Sequence, residues 1–393
     1  MAEELRVLFV SSVSDTRGGA ERSLLELARA LPGAGVRPSL AVWSEGELAA
    51  AFRAEGLDVH ALRTRGGDPR SPLGGRTVGV PFIGSAARLA AWLHVALQPL
   101  GSERRWLDDV VASVRPHVIH TNCDVAPVVV SGARRDGVRW IAHVRDRVRA
   151  WTHPRVARAL READGVVASS RHLADWLAGH GIRATVVANP VDAPRLSRVV
   201  DAGERARIRR EFRIPDGDLA VAVIGRLDAQ KGAHLLPEIV RRVPASSFLF
   251  AGHAPPPMRA RLDAAFRSDG VTQRVRLLGY RSDVAEWLPA MDVLLLPSAR
   301  EAFGRVVVEG MLAGLAVVAP DDGGAAELVR HEVTGWLARS DSADGFVDVL
   351  QRLRVDAAAR SRVGAAARAE AREHFAPAAI AARMRRVYES LPC

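Results

Sequence analysis

The sequence contains almost no lysine and almost no cysteine. Among its 55 Lys+Arg residues Lys231 is the single lysine, so nearly every cationic side chain is an arginine. The two cysteines, Cys123 and Cys393, are widely separated in the chain. This spacing argues against a disulfide-stabilised secreted protein and against a metal site built from cysteines.

Long hydrophobic runs are also missing. The most apolar stretch, residues 78–100, is interrupted by proline, glycine and polar residues, and its apolar runs are too short to span a bilayer. Residues 1–6 are acidic and lead directly into a strand, so we expect no signal peptide. We expect a cytoplasmic protein, with peripheral contact to the inner membrane face as the alternative.

The net charge of +10 is spread along the chain, with acidic residues among the arginines, as in residues 204–213. There is no long basic block, no RNA-binding aromatic motif and no zinc-ligand spacing. We therefore expect no nucleic-acid partner. Anionic small molecules or a membrane surface are the partners that this charge favours.

The hydrophobic pattern predicts an α/β protein of two Rossmann-like domains facing each other across a cleft. A chain of 393 residues is long enough for two domains. We predict an N-terminal domain over residues 1–195, a C-terminal domain over 196–376, and a C-terminal helix over 377–393 that returns to the N-terminal domain. Ser169 and Ser170 form a natural N-cap for a helix over 171–179.

The predicted strands are short apolar runs, and helical patterns separate them. In the first half the strands are at residues 5–11, 38–43, 59–62, 118–121, 140–143, 165–169 and 184–188. In the second half they are at 219–224, 247–251, 275–278, 293–297 and 316–319. Predicted helices cover residues 20–31, 47–55, 85–97, 104–114, 171–179, 235–243, 258–267, 284–288, 306–313, 325–329, 343–354, 358–374 and 377–391. A long loop rich in glycine, proline and arginine is predicted at 64–81.

The loop that follows the strand at 219–224 contains the lone lysine. It reads Gly225-Arg226-Leu227-Asp228-Ala229-Gln230-Lys231-Gly232. An ammonium beside an arginine and two glycines is typical of a pyrophosphate clamp. The alternative is that the lysine is a compositional accident on a surface turn.

Glycine pairs follow two further strands. Gly18 and Gly19 open the first helix, and Gly323 and Gly324 follow the strand at 316–319. Glycines allow backbone N–H groups to approach a phosphate at a helix N-terminus. The first loop matches neither the dinucleotide-binding fingerprint nor the P-loop, which argues against a dehydrogenase or a kinase. A plain strand-to-helix turn is the alternative for Gly18 and Gly19.

Two carboxylates flank the start of the helix predicted at 306–313. Glu301 lies in the preceding loop, Glu309 lies about one turn inside the helix, and Phe303-Gly304 lie between them. Carboxylates accept hydrogen bonds from paired sugar hydroxyls, and a helix N-terminus favours an anion. The alternative is that both are ordinary solvated acids near a helix start.

These motifs, in this order, resemble the retaining GT-B glycosyltransferases of family 4. The similarity rests on residues 225–232, 301–310 and 314–327, together with 164–170, 189–192 and 278–280. It covers nearly the whole chain, is specific in the C-terminal half, and is weak over residues 33–139. The resemblance implies transfer of a sugar from a UDP- or GDP-linked donor to a hydroxyl acceptor, with retention of configuration.

The resemblance also implies roles for individual residues. Arg226 and Lys231 would neutralise the donor diphosphate, and Glu301 would hold donor sugar hydroxyls. Backbone groups of Ala302, Phe303 and Gly304 would assist Glu301, Glu309 would bind the ribose, and backbone near Tyr280 would meet the base. Gly18 and Gly19 would approach the diphosphate or the sugar from the N-terminal domain.

Two histidines are candidates in the N-terminal domain. The resemblance implies that His143 is the family's active-site histidine near the donor sugar, and a buried structural histidine is the alternative. His120 is a weaker candidate for the acceptor side, and we expect it to be structural. Arg145, Arg147 and Arg149 would suit an anionic acceptor, although we expect a solvated basic face there.

We expect a reaction without a metal or another cofactor, because cations and helix N-termini can stabilise a leaving diphosphate. The one D-x-D sequence, Asp216-Gly217-Asp218, precedes a strand, so we interpret it as a turn and not a metal site. No nucleophile is evident, and our hypothesis is a front-face transfer in which the leaving phosphate helps deprotonate the acceptor. The alternatives are a GT-B epimerase or phosphorylase and a non-catalytic nucleotide-sugar binder.

The acceptor is left open between a small molecule such as an aminocyclitol, a glycan and a lipid-linked sugar. The arginine-rich loop at 63–76 and the helix at 85–97 would either lie on a membrane or cover a soluble acceptor.

Overall fold

The computed structural model describes residues 4–16, 18–62, 100–122, 126–133, 137–146, 154–191, 193–299 and 301–392. The chain divides into two units, Met1–Pro190 with Pro377–Cys393, and Val191–Ala376. The boundaries predicted from the sequence are at 195/196 and 376/377. The predicted loop at 64–81, the helix at 85–97 and both cysteines lie outside the described residues.

The first unit alternates strands and helices. Its strands are β1 (Leu5–Ser11), β2 (Val36–Val42), β3 (Asp58–Ala61), β4 (Val118–Asn122), β5 (Arg139–Val144), β6 (Gly165–Ala168) and β7 (Thr185–Val186). Its helices are α1 (Gly19–Ala30), α2 (Glu47–Ala54), α3 (Gly101–Val114), α4 (Ala126–Ser131), α5 (Pro154–Arg161) and α6 (Arg171–Ala178), with α15 (Pro377–Glu389) at the end of the chain. The predicted cap of α6 is present, since Ser170 Oγ accepts a hydrogen bond from the amide of Leu173 at 3.1 Å.

Among the described residues the strands of this unit form one parallel sheet in the order β3-β2-β1-β4-β5-β6-β7. Residues Val7, Leu8, Phe9 and Val10 of β1 are all fully buried, as expected for a central parallel strand covered on both faces. Helix α1 buries residues spaced at helical intervals, Leu24, Leu27 and Ala28, and Leu31 directly after the helix is also buried. The chain order reverses between β1 and β4, where ligands of α/β proteins bind at the carboxyl ends of strands.

The second unit repeats this architecture. Its strands are β8 (Leu219–Ile224), β9 (Ser246–Ala251), β10 (Val275–Gly279), β11 (Val293–Leu295), β12 (Ala316–Pro320) and β13 (Trp336–Ala338). Its helices are α7 (Ala193–Leu196), α8 (Ala202–Glu211), α9 (Leu236–Arg242), α10 (Pro256–Ser268), α11 (Val284–Trp287), α12 (Arg305–Ala313), α13 (Asp344–Val355) and α14 (Ala357–His374). The described strands pair in parallel in the order β10-β9-β8-β11-β12-β13, with the reversal between β8 and β11.

The predicted fold class is confirmed by both sheets, and the differences are local. Strand β13 and the helices α4, α5 and α7 were not predicted. The helix predicted at 325–329 is a 3₁₀ turn over Ala326–Leu328. No helix in the described part of the chain is both long and apolar enough to cross a membrane.

Helix α15 packs into the core of the first unit. Its side chains Ile380, Ala381, Met384 and Tyr388 are fully buried in one hydrophobic cluster with residues of β1, α1 and β2. The last helix of the chain therefore contributes to the same core as its first strand.

Candidate active site

Three glycines form the carboxyl edge of the second sheet beside β8. The amide of Gly225 donates to the carbonyl of Ala251 at 3.0 Å, and the amide of Gly252 donates to the carbonyl of Gly279 at 2.7 Å. A Cβ on Gly252 would lie 1.7 Å from the carbonyl oxygen of Gly225. Sequence reasoning identified Gly225 but missed Gly252, since nothing in the local sequence reports this close approach.

Asp228 organises the loop that holds Arg226 and Lys231. Its side chain is 6% exposed. Oδ1 accepts the amide of Lys231 at 3.0 Å, and Oδ2 lies 3.2 Å from Nε of Arg226. The carbonyl of Asp228 accepts the amide of Ala233 at 3.0 Å. One buried carboxylate thus fixes the backbone of the lysine and the head group of the arginine, a role that the sequence did not reveal.

The loop ends at Gly232, which packs against the end of β11. Gly232 has φ +71°, and a Cβ there would lie 2.0 Å from the carbonyl oxygen of Pro297. Only glycine satisfies both the positive φ and this contact. The loop after β8 is therefore held against the loop after β11, at the reversal point of the sheet.

Lys231 and Glu301 meet at this point. The ammonium Nζ donates to both carboxylate oxygens of Glu301, at 2.8 and 2.7 Å. The two side chains are 26% and 13% exposed, so the pair is partly shielded from water. Two residues that the sequence placed in one site, 70 positions apart, are thus in direct contact.

The loop that carries Glu301 leads into α12. The carbonyl of Glu301 accepts the amide of Gly324 at 2.6 Å, which joins this loop to the glycine pair after β12. Ala302 and Phe303 are buried. Gly304 caps the helix with φ +88°. The N-terminal end of α12, with its positive dipole, therefore follows directly after Glu301.

Glu309 lies one turn inside α12, as predicted, but it is not a solvated acid. It is 7% exposed, and its Oε1 accepts a hydrogen bond from Nε of Arg305 at 3.0 Å. Arg305 was not among the predicted site residues. Its spacing of four positions before Glu309 was the available signal, because such pairs face each other on a helix.

Tyr280 follows directly after β10 and its side chain is half exposed. It belongs to the same carboxyl edge as Gly225 and Gly252.

The predicted D-x-D turn lies at the opposite, amino end of β8. There the amide of Asp218 donates to the carbonyl of Pro215 at 3.2 Å, and its carboxylate accepts Oγ–H of Ser247 at 2.8 Å. Among the described residues no cluster of three or more His, Cys, Asp or Glu side chains is arranged to hold a metal.

In the first unit, α1 begins at Gly19 with Gly18 as its N-cap, one residue before the predicted start at 20. A Cβ on Gly18 would lie 2.0 Å from Oε2 of Glu21, which is itself buried. The neighbouring Arg17 lies outside the described residues. Gly18 therefore gives the buried carboxylate of Glu21 its space at the start of the helix.

His143 lies near the end of β5 and is 2% exposed. Its Nδ1 is 3.1 Å from Nε2 of His120, and Nδ1 of His120 is 2.7 Å from the hydroxyl of Tyr388. Burial holds the pKa of both histidines well below the ordinary value, and the nearby Arg145 cation lowers the pKa further. Both imidazoles are therefore neutral at physiological pH.

The expectation of a solvated basic face is wrong for Arg145. This side chain is 6% exposed. Its Nε donates to Oδ1 of Asn122 at 2.7 Å, and a second nitrogen donates to Oδ1 of Asn189. The two asparagines hold the guanidinium in place, and sequence reasoning did not identify them as its partners. Arg147 and Arg149 lie outside the described residues.

Two family models match the chain. The model described as Glycosyltransferase Family 4 matches residues 17–195, and the model described as Glycosyl transferases group 1 matches residues 204–370. Each model corresponds closely to one of the two units. Together they leave only short segments of the chain unmatched.

Several curated proteins are similar in sequence. The 2-deoxystreptamine glucosyltransferase of Streptomyces kanamyceticus is 28% identical over 365 residues, 85% of this chain and 89% of that protein. A D-inositol 3-phosphate glycosyltransferase of Xylanimonas cellulosilytica is 32% identical over 221 residues, 53% of this chain and 53% of that protein.

Solved structures show the same fold. The Anabaena protein HepE in complex with UDP and glucose has a TM-score of 0.80 at 24% identity, covering 98% of this chain and 100% of that chain. The sucrose-phosphate synthase of Thermosynechococcus elongatus has a TM-score of 0.76 at 20% identity, covering 98% and 99% of the two chains. The glycosyltransferase family and the fold predicted from the sequence are confirmed, whereas retention of configuration stays a prediction. The chain belongs to the GT-B glycosyltransferases, with a family 4 domain followed by a group 1 domain.

Proposed function

We propose that this glycosyltransferase moves a sugar from a UDP- or GDP-linked donor to a hydroxyl acceptor, with retention of the anomeric configuration and without a metal. The observation that carries the proposal is the contact of Lys231 with Glu301 at the reversal point of the second sheet. A cation and a carboxylate placed together there suit a ligand that has both phosphates and sugar hydroxyls. The UDP and glucose bound to the similar Anabaena protein support this donor class.

In this proposal Arg226 and Lys231 bind the donor diphosphate. Lys231 has three N–H donors and directs two at Glu301, which leaves one for a phosphate oxygen. Arg226 is anchored through Nε by Asp228, and its Nη2 donates to Oε1 of Gln230 at 3.5 Å on the same loop. Asp228 contacts both residues, so the two cations act from one rigid support.

Glu301 binds hydroxyls of the donor sugar, and the backbone of Ala302, Phe303 and Gly304 assists it at the start of α12. A carboxylate offers about four lone-pair directions, so holding Lys231 leaves capacity for sugar hydroxyls. The ion pair with Lys231 orients the Glu301 carboxylate. The sugar and the diphosphate are in this way held by adjacent, mutually oriented groups.

Glu309 binds the ribose hydroxyls, and backbone near Tyr280 contacts the base. The hydrogen bond from Arg305 to Oε1 orients the Glu309 carboxylate, and Oε2 is the oxygen that accepts from ribose. From the first unit we propose Gly18, Gly19 and His143 as donor contacts. Their support is the predicted family role, the glycine start of α1, and the unpaired Nε2 of His143 within the described residues.

The chemistry follows from charge. As the bond between the sugar and the diphosphate stretches, negative charge grows on the leaving phosphate. Arg226, Lys231 and the N-terminal end of α12 are placed to stabilise that charge before the reaction begins. The acceptor hydroxyl then attacks from the face that the leaving phosphate occupies, and a phosphate oxygen takes its proton. Trapping a covalent glycosyl–enzyme intermediate would overturn this front-face route.

For the acceptor we propose a small polyhydroxylated molecule, of which an aminocyclitol is the first to test. The support is the similarity to 2-deoxystreptamine glucosyltransferase, which extends over most of both chains. If small cyclitols are not glycosylated, the acceptor is instead a glycan or a lipid-linked sugar.

Two measurements identify the donor and the acceptor separately. Thermal shift with UDP, GDP, ADP and dTDP identifies the base, and incubation of the matching glucose donor with cyclitols, monitored by mass spectrometry, identifies the product. We expect one base to shift the melting temperature clearly and its sugar to be transferred. Binding of a nucleotide sugar with neither transfer nor hydrolysis would instead favour a non-catalytic binder.

A further inference from the structure

Two tryptophans meet at the carboxyl edge of the first sheet. Trp43 follows directly after β2, and its ring centroid lies 6.1 Å from that of Trp106 on α3, with 54° between the ring planes. This separation is typical of an attractive aromatic pair. Both side chains pack against the core of the first unit and remain partly exposed. We call Trp43 and Trp106 the tryptophan ledge.

The register of the sheet places the ledge near the reversal point of the first unit. Val42 on β2 pairs with Ser11 on β1, and Ser11 pairs with Asn122 on β4, so the three residues form one row. Trp43 lies one residue beyond this row. Neighbouring strands are about 4.8 Å apart, which puts β2 about 10 Å from β4. A ligand bound at the reversal between β1 and β4 is therefore within reach of the ledge.

The loop after β2 is held against the loop after β1. The amide of Leu48 donates to the carbonyl of Ser14 at 2.9 Å. Oε2 of Glu47 accepts the amide of Thr16 at 3.3 Å and the hydroxyl of Thr16 at 3.0 Å. Glu47 is an exposed residue four positions after Trp43. The same loop thus carries an aromatic ring and a carboxylate in fixed positions.

A second carboxylate on this loop, that of Glu45, is engaged differently. Its two oxygens each accept a hydrogen bond from a guanidinium nitrogen of Arg53 on α2, both at 2.8 Å. Such a bidentate pair uses the edge of the carboxylate that a ligand cation would otherwise meet. Glu45 therefore serves as a control for the negative charge of the loop.

We propose that the tryptophan ledge and Glu47 form the acceptor subsite and recognise an ammonium group on a small polyhydroxylated ring. Small-molecule sites combine aromatic surface with a few fixed polar groups. The face of a tryptophan attracts a cation more strongly than other aromatic faces do, and a carboxylate pairs with the same ammonium. The subsite rests on the proposed function, because it names the acceptor class of that reaction, to which the aminocyclitols belong.

Ligand-observed NMR on the full-length protein tests this subsite without any reaction. Saturation-transfer titrations with 2-deoxystreptamine and with myo-inositol, each in the presence of UDP or GDP, compare a ring that carries ammonium groups with a neutral ring of the same size. We expect the wild type to bind 2-deoxystreptamine at least about tenfold more tightly. Equal dissociation constants, or no binding of 2-deoxystreptamine, would overturn the proposal.

W43L removes the indole and keeps an apolar side chain. W176L is the matched control, because Trp176 is a partly exposed tryptophan of the same unit that contacts His180 at 4.5 Å between ring centroids. We expect the dissociation constant of 2-deoxystreptamine to rise roughly 3- to 30-fold in W43L and to stay unchanged in W176L. If W43L does not fold, W43F, which has a weaker cation-binding face, should raise this constant about threefold. Unchanged affinity in the folded variant would overturn the role of the ledge.

E47Q removes the charge and keeps an oxygen that accepts from Thr16. We expect the dissociation constant of 2-deoxystreptamine to rise roughly 3- to 10-fold in E47Q, because a charged hydrogen bond is replaced by a neutral one. E45Q removes the same charge from the carboxylate that Arg53 engages, and it should change this constant less than about twofold. Equal effects of the two variants would overturn the role of Glu47.

Binding and transfer distinguish the acceptor subsite from the proposed function. If W43L weakens binding of 2-deoxystreptamine but the wild type transfers no sugar to any acceptor, the proposed function fails and the ledge is still a binding site for ammonium. If sugar is transferred to a cyclitol with the same acceptor KM in the wild type and in W43L, the function holds and the acceptor subsite is refuted.

Discussion

At the residue scale, the proposed donor site depends most on Lys231. The chain uses arginine almost everywhere, yet the group that contacts both oxygens of Glu301 is an ammonium. An ammonium is compact and can be shared between a carboxylate and a phosphate, whereas a guanidinium is a wide planar fork. Whether position 231 requires a lysine and not an arginine can therefore be tested by substitution.

We predict that Lys231→Ala lowers kcat on the order of 10²- to 10³-fold, the usual effect of removing one group that stabilises transition-state charge. Lys231→Arg should also be impaired, on the order of 10²-fold, because its larger head group displaces Glu301. Arg207→Ala, which removes an exposed cation from the same unit, is the control for net charge. Full activity of the arginine variant would show that the lysine has no special role.

Asp228 is the second residue with a defined prediction. Asp228→Asn keeps an acceptor for the Lys231 amide but loses the charge opposite Arg226. We expect about 1 kcal/mol lower stability, from the difference between charged and neutral hydrogen bonds. We also expect a donor KM about fivefold higher, because Arg226 is less well held.

Urea unfolding and donor kinetics measure these two effects. Asp263→Asn is the matched control, since it weakens the largely exposed pair with Arg259 on α10. It should change neither quantity appreciably. If Asp228→Asn behaved like Asp263→Asn, Asp228 would not organise the loop.

At the scale of elements, the carboxyl edge of the second sheet requires close backbone contact between loops. Gly252→Ala places a methyl group 1.7 Å from the Gly225 carbonyl, which cannot move away as a side chain could. We predict a loss of about 2 kcal/mol in unfolding free energy, within the range for overpacking, and weaker nucleotide binding.

Chemical denaturation and nucleotide titration check this prediction. Gly33→Ala is the control, because no atom lies within 4 Å of an added Cβ at that exposed turn. It should change stability by less than about 0.5 kcal/mol. Equal behaviour of the two variants would contradict a tight contact between the loops.

The elements also show what sequence can and cannot predict. Strand β1 was predicted with its observed bounds because the continuous apolar run Val7–Val10 lies at its centre. Helix α4 was missed because Val128, Val129 and Val130 favour a strand by propensity, whereas complete burial in the tertiary structure stabilises a helix. Strand β13 was missed because its apolar run is limited to Trp336, Leu337 and Ala338, whereas the run at β11 continues through Leu296.

The site shows the same limit. Loop motifs that are continuous in sequence, such as the one containing Arg226 and Lys231, were located, and Lys231 and Glu301 were assigned to one site. Their direct contact was not predicted. The burial of Arg145 and the contact of Tyr388 with His120 depend on residues far apart in the chain. No local pattern encodes such contacts, so sequence reasoning could not have found them.

At the scale of the whole molecule, the buried histidines link stability to pH. The folded-state pKa of His120 and of His143 is held well below 6.5 by burial and by Arg145. The unfolded chain binds protons at both residues as the pH falls below about 6.5, and the folded chain does not. The stabilisation is therefore complete above that pH and is lost as the pH decreases.

We predict that the free energy of unfolding falls between pH 6.5 and 5.5, with a limiting slope of at most about 2.7 kcal/mol per pH unit for two protons. Urea titrations at several pH values measure this slope. Stability that stays constant or rises on acidification would contradict neutral buried imidazoles.

The central claim is that the whole molecule is a nucleotide-sugar-dependent, metal-independent glycosyltransferase. Its most direct test is to incubate the protein with UDP-glucose or GDP-glucose and a cyclitol acceptor, with excess chelator, and to identify the product and its anomeric configuration by mass spectrometry and NMR. The account predicts a glycosylated product with the donor's configuration, formed equally well with and without the chelator. An inverted product, or one that forms only when a divalent metal is restored, would contradict it.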